Sequence, residues 1–291
     1  MLGVGDDAAL LRIEPGTELA VSTDLLLQGT HFRAGTDARM LGHKALAVNL
    51  SDMAAMGATP RWAMLALAMP SADEAWLEAF AGGLFALAAR HAVELIGGDT
   101  TRGPLSICIS IFGELPAGQA LLRSGARPGD DIWVSGELGG AALALARPEI
   151  AEVQNRLNEP EPRVALGERL RGLASAAIDV SDGFAQDLGH ILERSACAAA
   201  VQYELLPKSA AFSRIGDIAL ERRCVLAGGD DYELVFTAPQ SARHAIAGLA
   251  REIRLALARV GSVRPGGPEL AVLDAQGARI EFGRGYDHFA A

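Results

Sequence analysis

A two-domain fold of mixed α/β (α+β) class is what this sequence predicts. Strand-like and helix-like hydrophobic patterns interleave along the whole chain. Its 291 residues suffice for two domains at roughly 150 residues each. The character of the chain changes around Leu115-Pro116-Ala117-Gly118. The expected division is therefore an N-terminal domain of residues 1–115 and a C-terminal domain of residues 116–291.

Taken in order, Ala8 to Ile13 reads as a short strand behind Gly3-Val4-Gly5-Asp6-Asp7, and Glu18 to Thr23 as a second that ends on Ser22-Thr23-Asp24. A loop through Gln28-Gly29-Thr30-His31-Phe32 follows. Leu41, Ala45, Val48 and Asp52 then recur at helical spacing, with Asp37 as a cap and Gly57 and Pro60 as stops. Arg61 to Met69 reads as a strand. Asp73 to His91 reads as a long amphipathic helix on Trp76, Leu77, Phe80, Leu84 and Leu87, capped by Ser71 or Asp73. Ala92 to Ile96 and Leu105 to Phe112 are strand-like. Between them, Gly97-Gly98-Asp99-Thr100-Thr101-Arg102-Gly103 reads as a polar turn whose glycines permit sharp bends or close approach of a ligand.

Beyond the boundary, Asp131 to Ser135 is strand-like, and Gly139-Gly140 opens a helix over Ala141 to Ala146. Pro148, Pro160 and Pro162 mark a break before a helix from Arg163 to Leu173. Ala176 to Val180 is a strand that ends in Ser181-Asp182-Gly183 and feeds a helix carrying Phe184, Leu188, Ile191 and Leu192. Gly228-Gly229-Asp230-Asp231 precedes a strand from Tyr232 to Phe236. A helix near Ala242 to Ile253, a strand near Leu257 to Val260 and a hairpin around Gly277 lead to Gly285-Tyr286-Asp287-His288-Phe289.

Composition excludes several functions. Half of the residues are hydrophobic but only 5% are aromatic, so a sizeable core must be built mainly from Ala, Leu, Val and Ile. A net charge of −10 argues against a nucleic-acid partner, which needs a basic surface. Lys44 and Lys208 are the two lysines, and neither lies in a phosphate loop of the G-x-x-x-x-G-K-[ST] kind. A nucleotide would therefore be held by metals, arginines and backbone amides. Cys108, Cys197 and Cys224 lack C-x-x-C spacing and read as small buried hydrophobes of a reducing compartment. Without a signal peptide or membrane-length apolar run, no membrane is expected and the cytoplasm is the expected location. The six histidines show no H-x-x-x-H pair, and no G-x-S-x-G occurs, against zinc or serine hydrolysis. Trp62, Trp76 and Trp133 fall in strand or helix patterns and read as core.

What remains is acidic. Asp6-Asp7, Asp24, Asp52, Asp99, Asp179, Asp182 and Asp230-Asp231 all fall at or near element ends, several beside glycine. Each alone reads as a cap or turn former. Together, carboxylates that repel one another are naturally compensated by divalent cations. Mg²⁺ takes one or two carboxylates plus phosphate oxygens and waters, so such a set suits several ions along a polyphosphate.

These blocks resemble, in order, those of the thiamine-monophosphate kinase family. They are Gly3-Val4-Gly5-Asp6-Asp7-Ala8-Ala9, Ser22-Thr23-Asp24, Asn49-Leu50-Ser51-Asp52-Met53-Ala54-Ala55-Met56-Gly57-Ala58, and Gly97 to Gly103. Asp179-Val180-Ser181-Asp182-Gly183, Gly228-Gly229-Asp230-Asp231-Tyr232-Glu233-Leu234 and Gly285 to Phe289 complete the set. The wider superfamily is that of aminoimidazole ribonucleotide synthetase. The resemblance implies an N-terminal α/β domain whose sheet forms a homodimer interface, a C-terminal α+β domain, and ATP bound in a cleft. It implies transfer of phosphate from ATP to thiamine phosphate with several Mg²⁺ ions and a monovalent cation such as K⁺. Asp7, Thr23, Asp24, Asp52, Asp99, Asp179 and Asp182 would bind metal. Gly98, Asp99, Arg123 and Ser181 would contact ATP, with Arg123 as an electrostatic aid. His31, Asp230 and Tyr286 would contact thiamine phosphate.

Local sequence leaves other roles open: His31 as a loop hydrogen-bonder, Arg123 paired with Asp130 or Asp131, Tyr286 as a pin for the tail. Family members usually carry a longer segment ahead of the first block than Met1-Leu2. The alternatives in function are another ATP-dependent enzyme of the superfamily and a non-catalytic nucleotide-binding protein.

Overall fold

The structure is a computed structural model that describes Gly3 and residues 7–286. The chain divides into two compact units. One runs to Ala120 and takes back Asn158–Val164; the other comprises Leu121–Leu157 and the chain from Ala165 onward.

In the first unit the order is β1 (Thr17–Leu27), α1 (Ala38–Met56), β2 (Thr59–Met69), α2 (Glu74–Arg90), β3 (Glu94–Arg102) and β4 (Ser106–Pro116). The strands form one sheet in the order β1-β4-β2-β3. β2 and β3 are parallel, linked by α2 as a crossover, while β4 runs antiparallel to β1 and β2. Asp37 caps α1 by accepting from Met40 N–H, Asp73 caps α2 by accepting from Trp76 N–H, and Gly57 ends α1 at φ 67°. The sheet has two unlike faces, as period-two alternation requires. Ile107, Ile109 and Ile111 of β4 are buried with Ala63, Leu67 and Met69 of β2, whereas Leu19, Val21, Leu25 and Met64 are exposed. α1 and α2 pack through glycines. A Cβ on Gly42 would lie 2.0 Å from Phe80 O, and one on Gly83 would lie 1.8 Å from Arg39 O. The returning segment attaches by His43 Nε2 to Pro160 O at 2.9 Å and by an Arg90–Glu161 ion pair.

The second unit contains β5 (Asp131–Ser135), α3 (Gly140–Ala146), α5 (Val164–Leu170) after α4 (Ala151–Asn158), β6 (Ala176–Asp179), α6 (Phe184–Ser195) and β7 (Ala198–Gln202). They are followed by α7 (Ala211–Ile215), α8 (Ile218–Ala227), β8 (Leu234–Ala238), α9 (Arg243–Glu252), β9 (Leu257–Arg264) and β10 (Leu270–Leu273). Its sheet has the order β10-β7-β9-β5-β8-β6, parallel at β10–β7 and antiparallel elsewhere. Phe184, Leu188, Ile191 and Leu192 of α6 join Val134, Ile178, Val235 and Val260 in its core. Trp133 stacks on Phe236 with ring centroids 6.3 Å apart. Trp62 and Trp133 are buried, as their strand patterns imply, and Cys197 and Cys224 are buried free thiols.

Four local expectations differ. Ala8 to Ile13 is not a strand; Leu10 forms a single bridge, and with Leu10 and Ile13 exposed no burial favours extending it. β1 does not end at Asp24 but continues to Leu27, because β4 offers partners up to Ser106. Gly97 to Arg102 is not a turn: it is the body of β3, paired with Met64–Met69 of β2, and the chain reverses over Gly103-Pro104-Leu105. The proline-marked break contains α4. Asp287, His288 and Phe289 lie outside the described residues, as does Asp6. No helix among the described residues is long and apolar enough to cross a membrane.

Candidate functional site

In the first unit, β1 alternation places Ser22 and Asp24 on the same face, opposite exposed Thr23. Ser22 Oγ donates to Asp52 Oδ2 at 2.5 Å, so α1 delivers Asp52 to that face. Thr23 Oγ1 and Ser110 Oγ lie 2.8 Å apart. His31 sits in the loop after β1, where its Nδ1 accepts the Leu27 N–H at 2.9 Å. A neutral ring so bonded carries its proton on Nε2. Lys44 is buried and reaches toward His31 O at 3.5 Å. Asp7 is exposed in a bend.

Asp99 lies elsewhere. It is opposite Ala66 of β2, on the strand at the far edge from β1. β1 and β3 are separated by three inter-strand steps of about 4.8 Å each. Asp24 and Asp99 of one chain are thus on opposite edges of the sheet. Gly98 has φ 145°, and a Cβ there would meet Leu65 O at 1.8 Å, whereas a Cβ on Gly97 meets nothing within 4 Å.

The second unit gathers its residues tightly. Asp230 N donates to Ser181 O, Tyr232 N to Val180 O and Tyr286 N to Asp182 O, at 2.8 to 2.9 Å. Gly229 and Gly285 permit this: a Cβ would come 2.4 Å from Ser181 O and 2.5 Å from Asp182 O respectively. Ser181, Asp182, Asp230 and Tyr286, drawn from three distant stretches, therefore meet at one loop. Asp230 and Tyr232 take φ of 66° and 50°, costly for non-glycine residues, and Tyr232 Oη donates to Asp230 Oδ1 at 3.1 Å. Tyr286 is 46% exposed, and its backbone N–H ties the tail to Asp182 O. Arg123 is exposed and forms no ion pair with Asp130 or Asp131. Asp131 is held instead by Arg243, whose hydrogen bonds, with those of Arg259, keep its carboxyl below the usual range despite burial.

One important residue, Asp187, escaped sequence reading, whereas Asp231 and Glu233 belong to the Gly228 to Leu234 block and take structural parts within it. Asp187, in the first turn of α6, accepts N–H bonds from Ser181, Asp182 and Gly183. Burial, then the charge of Asp179, pushes its carboxyl up to about 7, against the lowering effect of Gly183 N–H. Glu233 is fully buried and accepts from Ser135 Oγ at 2.6 Å and Arg156 Nη2 at 2.9 Å. Asp231 accepts from Gly139 N at 2.7 Å and Ala141 N at 3.4 Å, closing the start of α3. Only the spacing Ser181-Asp182-Gly183-x-x-x-Asp187 carried a signal, a carboxylate one turn into a helix.

Burial pushes the Asp231 carboxyl up to about 7, opposed by Gly139 N–H and Arg156. The folded state thus holds a proton that the unfolded chain releases near 3.8. Stability from this group is greatest below that value, falls as pH rises toward 7, and is level above it. Asp231→Asn should flatten the dependence of unfolding free energy on pH over this window, by at most about 1.4 kcal/mol per pH unit. Denaturant titrations of both proteins across the window would read the difference; parallel slopes would mean a carboxylate already ionised in the fold.

Among the described residues no three His, Cys, Asp or Glu side chains converge closely enough to hold an ion by themselves. The donor chemistry nevertheless fits Mg²⁺. Asp179 is buried near Asp182 and Asp187, and their mutual repulsion contributes to the raised pKa of Asp187. A divalent cation relieves such repulsion, and Mg²⁺ needs few carboxylates when phosphate oxygens and water complete its shell.

The description AIR synthase related protein, N-terminal domain, fits residues 5–115. The thiamine-monophosphate kinase of Salmonella typhimurium is 47% identical over 300 aligned positions, covering 99% of this chain and 92% of that protein. The crystal structure of thiamine-monophosphate kinase from Stenotrophomonas maltophilia superposes with a TM-score of 0.90 at 48% identity, covering 96% of this chain and 92% of that one. AaThiL complexed with AMPPCP and TMP superposes with a TM-score of 0.83 at 28% identity, covering 96% and 89%. Two α/β units, the blocks in family order and likeness across nearly the full length converge: the chain belongs to the thiamine-monophosphate kinase family, within the AIR synthase-like superfamily.

Proposed function

We propose that the protein transfers the γ-phosphoryl group of ATP to thiamine phosphate, giving thiamine diphosphate and ADP. The observation that carries this is the near-full-length likeness to thiamine-monophosphate kinases, one of them solved with AMPPCP and TMP. A terminal phosphate oxygen of thiamine phosphate attacks the γ-phosphorus in line, and the bond to the β–γ bridging oxygen breaks. That nucleophile is already ionised at neutral pH, its second pKa being about 6, so no strong base is required. The absence of a serine or histidine nucleophile motif is then the expected chemistry.

Asp7, Thr23, Asp24, Asp52, Asp99, Asp179 and Asp182 are the residues that would hold Mg²⁺. Bound there, the ions would neutralise charge on the transferring group and bring two anions together. Ser22 orients Asp52 through its 2.5 Å hydrogen bond. Gly98, Asp99, Arg123 and Ser181 would bind ATP, with the exposed Arg123 guanidinium as a fixed positive charge. His31 would donate from Nε2 to the phosphate of the acceptor, since Nδ1 is occupied by Leu27 N–H. Asp230 and the exposed Tyr286 ring would contact thiamine phosphate, the ring against its cationic or aromatic heterocycle. A monovalent cation such as K⁺ and a cytoplasmic location belong to the same reading. The N-terminal 1–115 would serve metal binding and dimerisation, and 116–291 would form the second domain.

Two features of the first unit support reading the protein as a homodimer. Leu19, Val21, Leu25 and Met64 leave an apolar sheet face exposed, the kind of surface that marks an interface. Asp24 and Asp99 stand on opposite sheet edges, too far apart to share an ion within one chain. A second copy facing this sheet under two-fold symmetry would bring the β3 edge of one subunit to the β1 edge of the other.

Purified protein given ATP, Mg²⁺, K⁺ and thiamine phosphate should form thiamine diphosphate and ADP in equal amounts, with no product when Mg²⁺ is chelated. ATP bound but thiamine phosphate left unchanged would instead identify a nucleotide-binding protein without this activity.

A further inference from the structure

Resting on that kinase reading for its ligand, a positioning role can be assigned within the loop that carries Ser181 and Asp182. Every peptide group from Val180 to Gly183 has a partner. Val180 N donates to Glu233 O at 2.8 Å, and Val180 O accepts from Tyr232 N at 2.8 Å. Ser181 O accepts from Asp230 N, and Asp182 O from Tyr286 N, both at 2.9 Å; Gly183 O accepts from Asp187 N at 3.0 Å. The remaining donors, Ser181 N, Asp182 N and Gly183 N, all converge on a single atom, Asp187 Oδ2, at 3.1, 3.1 and 3.0 Å. Asp187 is only 3% exposed.

The arrangement answers a local problem. The N-cap position of α6 is Gly183, which has no side chain to accept from the first amides. Residue 183 must be glycine, because φ is 132° and a Cβ would come 2.9 Å from Ala227 C. The acceptor must therefore come from elsewhere, and it comes from one turn inside the helix. A carboxylate on three amides fixes the loop far more firmly than water could.

We propose that Asp187 is a positioning residue for phosphoryl transfer: by holding the amides of Ser181, Asp182 and Gly183 it sets where the side chains of Ser181 and Asp182 stand for MgATP. Asp187 need not touch substrate. Its carboxylate oxygen serves as an acceptor, and an Asn carbonyl oxygen at the same place would serve nearly as well.

Asp187→Ala and Asp187→Asn in the full chain test this. In Asp187→Ala, backbone amide exchange of the peptide containing residues 181–183 should accelerate at least about tenfold. Its Kd for MgATP should weaken and kcat fall by about 10²-fold, the scale of a misplaced catalytic group, with KM for thiamine phosphate within about twofold. Asp187→Asn should keep slow exchange and lie within about fivefold of the parent in kcat and Kd. If Asp187→Ala does not fold, Asp187→Ser, whose hydroxyl is too short to span all three amides, takes its place. Unchanged exchange in Asp187→Ala, equal damage in the Ala and Asn variants, or parallel loss for both substrates would each overturn the assignment. Exchange and MgATP binding need no turnover. A parent protein that made no thiamine diphosphate would overturn the kinase reading and still leave this assignment decided by those two measurements.

Discussion

Asp52→Asn is expected to yield a folded protein that forms thiamine diphosphate on the order of 10³-fold more slowly, the loss seen when a group stabilising transition-state charge is removed. The substitution is nearly isosteric. Asp52 is only partly buried near the C-terminal end of α1, and an Asn oxygen can still accept from Ser22 Oγ, which now donates to Asp52 at 2.5 Å. The fold should therefore keep its melting temperature within a few degrees. What disappears is the negative charge, and with it a ligand for the cations that neutralise the transferring phosphoryl group. Turnover under saturating ATP, Mg²⁺ and thiamine phosphate, together with a thermal melt, gives both quantities. Near-normal turnover would remove Asp52 from the metal site; a collapsed melt would make it a structural residue.

Gly98→Ala should be the most damaging single methyl group in the first unit. Its Cβ would lie 1.8 Å from Leu65 O and 2.6 Å from Leu65 C, at a φ of 145° that side chains avoid. Relief requires β3 to leave β2, across the pairing of Leu65 with Gly98 and Ala66 with Asp99. A destabilisation of about 4 kcal/mol or more is expected, in the range reserved for overpacking and backbone strain combined. Gly97→Ala is the internal comparison. A Cβ there meets nothing within 4 Å and its φ is not positive, so its unfolding free energy should stay within about 1 kcal/mol of the parent. Urea titrations of the pair measure this directly. Equal stability for the two variants would contradict the close approach of β2 to Gly98.

That pair also shows how two adjacent glycines can differ in purpose. A reading from sequence treats Gly97-Gly98 as one flexible turn before Asp99. In the fold both belong to β3, and Gly98 is required by the carbonyl of a neighbouring strand, whatever ligand approaches it. Glycine and aspartate are poor strand formers and common in turns. Pairing with the eight β2 residues from Trp62 to Met69, aligned through a bulge, overrides that preference. The same limitation hid β7, whose Ala198-Ala199-Ala200-Val201-Gln202 has little intrinsic strand character but is flanked by β9 and β10.

The sequence by itself determined the features that depend on neighbours a turn away. Asp37, Asp73 and Gly57 cap where their positions imply, the amphipathic helices fall on their apolar spacing, and the ordered blocks identify the family. Helix caps and helical periodicity are interactions between residues three or four apart, so they survive without knowledge of the rest. Only the tertiary structure decided which distant groups meet. It tied Ser22 to Asp52 and joined Ser181, Asp230 and Tyr286 at one loop. It set Asp24 and Asp99 on opposite edges of one sheet. It also made Asp187 the acceptor for three amides. Strand order and backbone approach are set by burial and by satisfying polar groups across the whole core, and no local pattern encodes them.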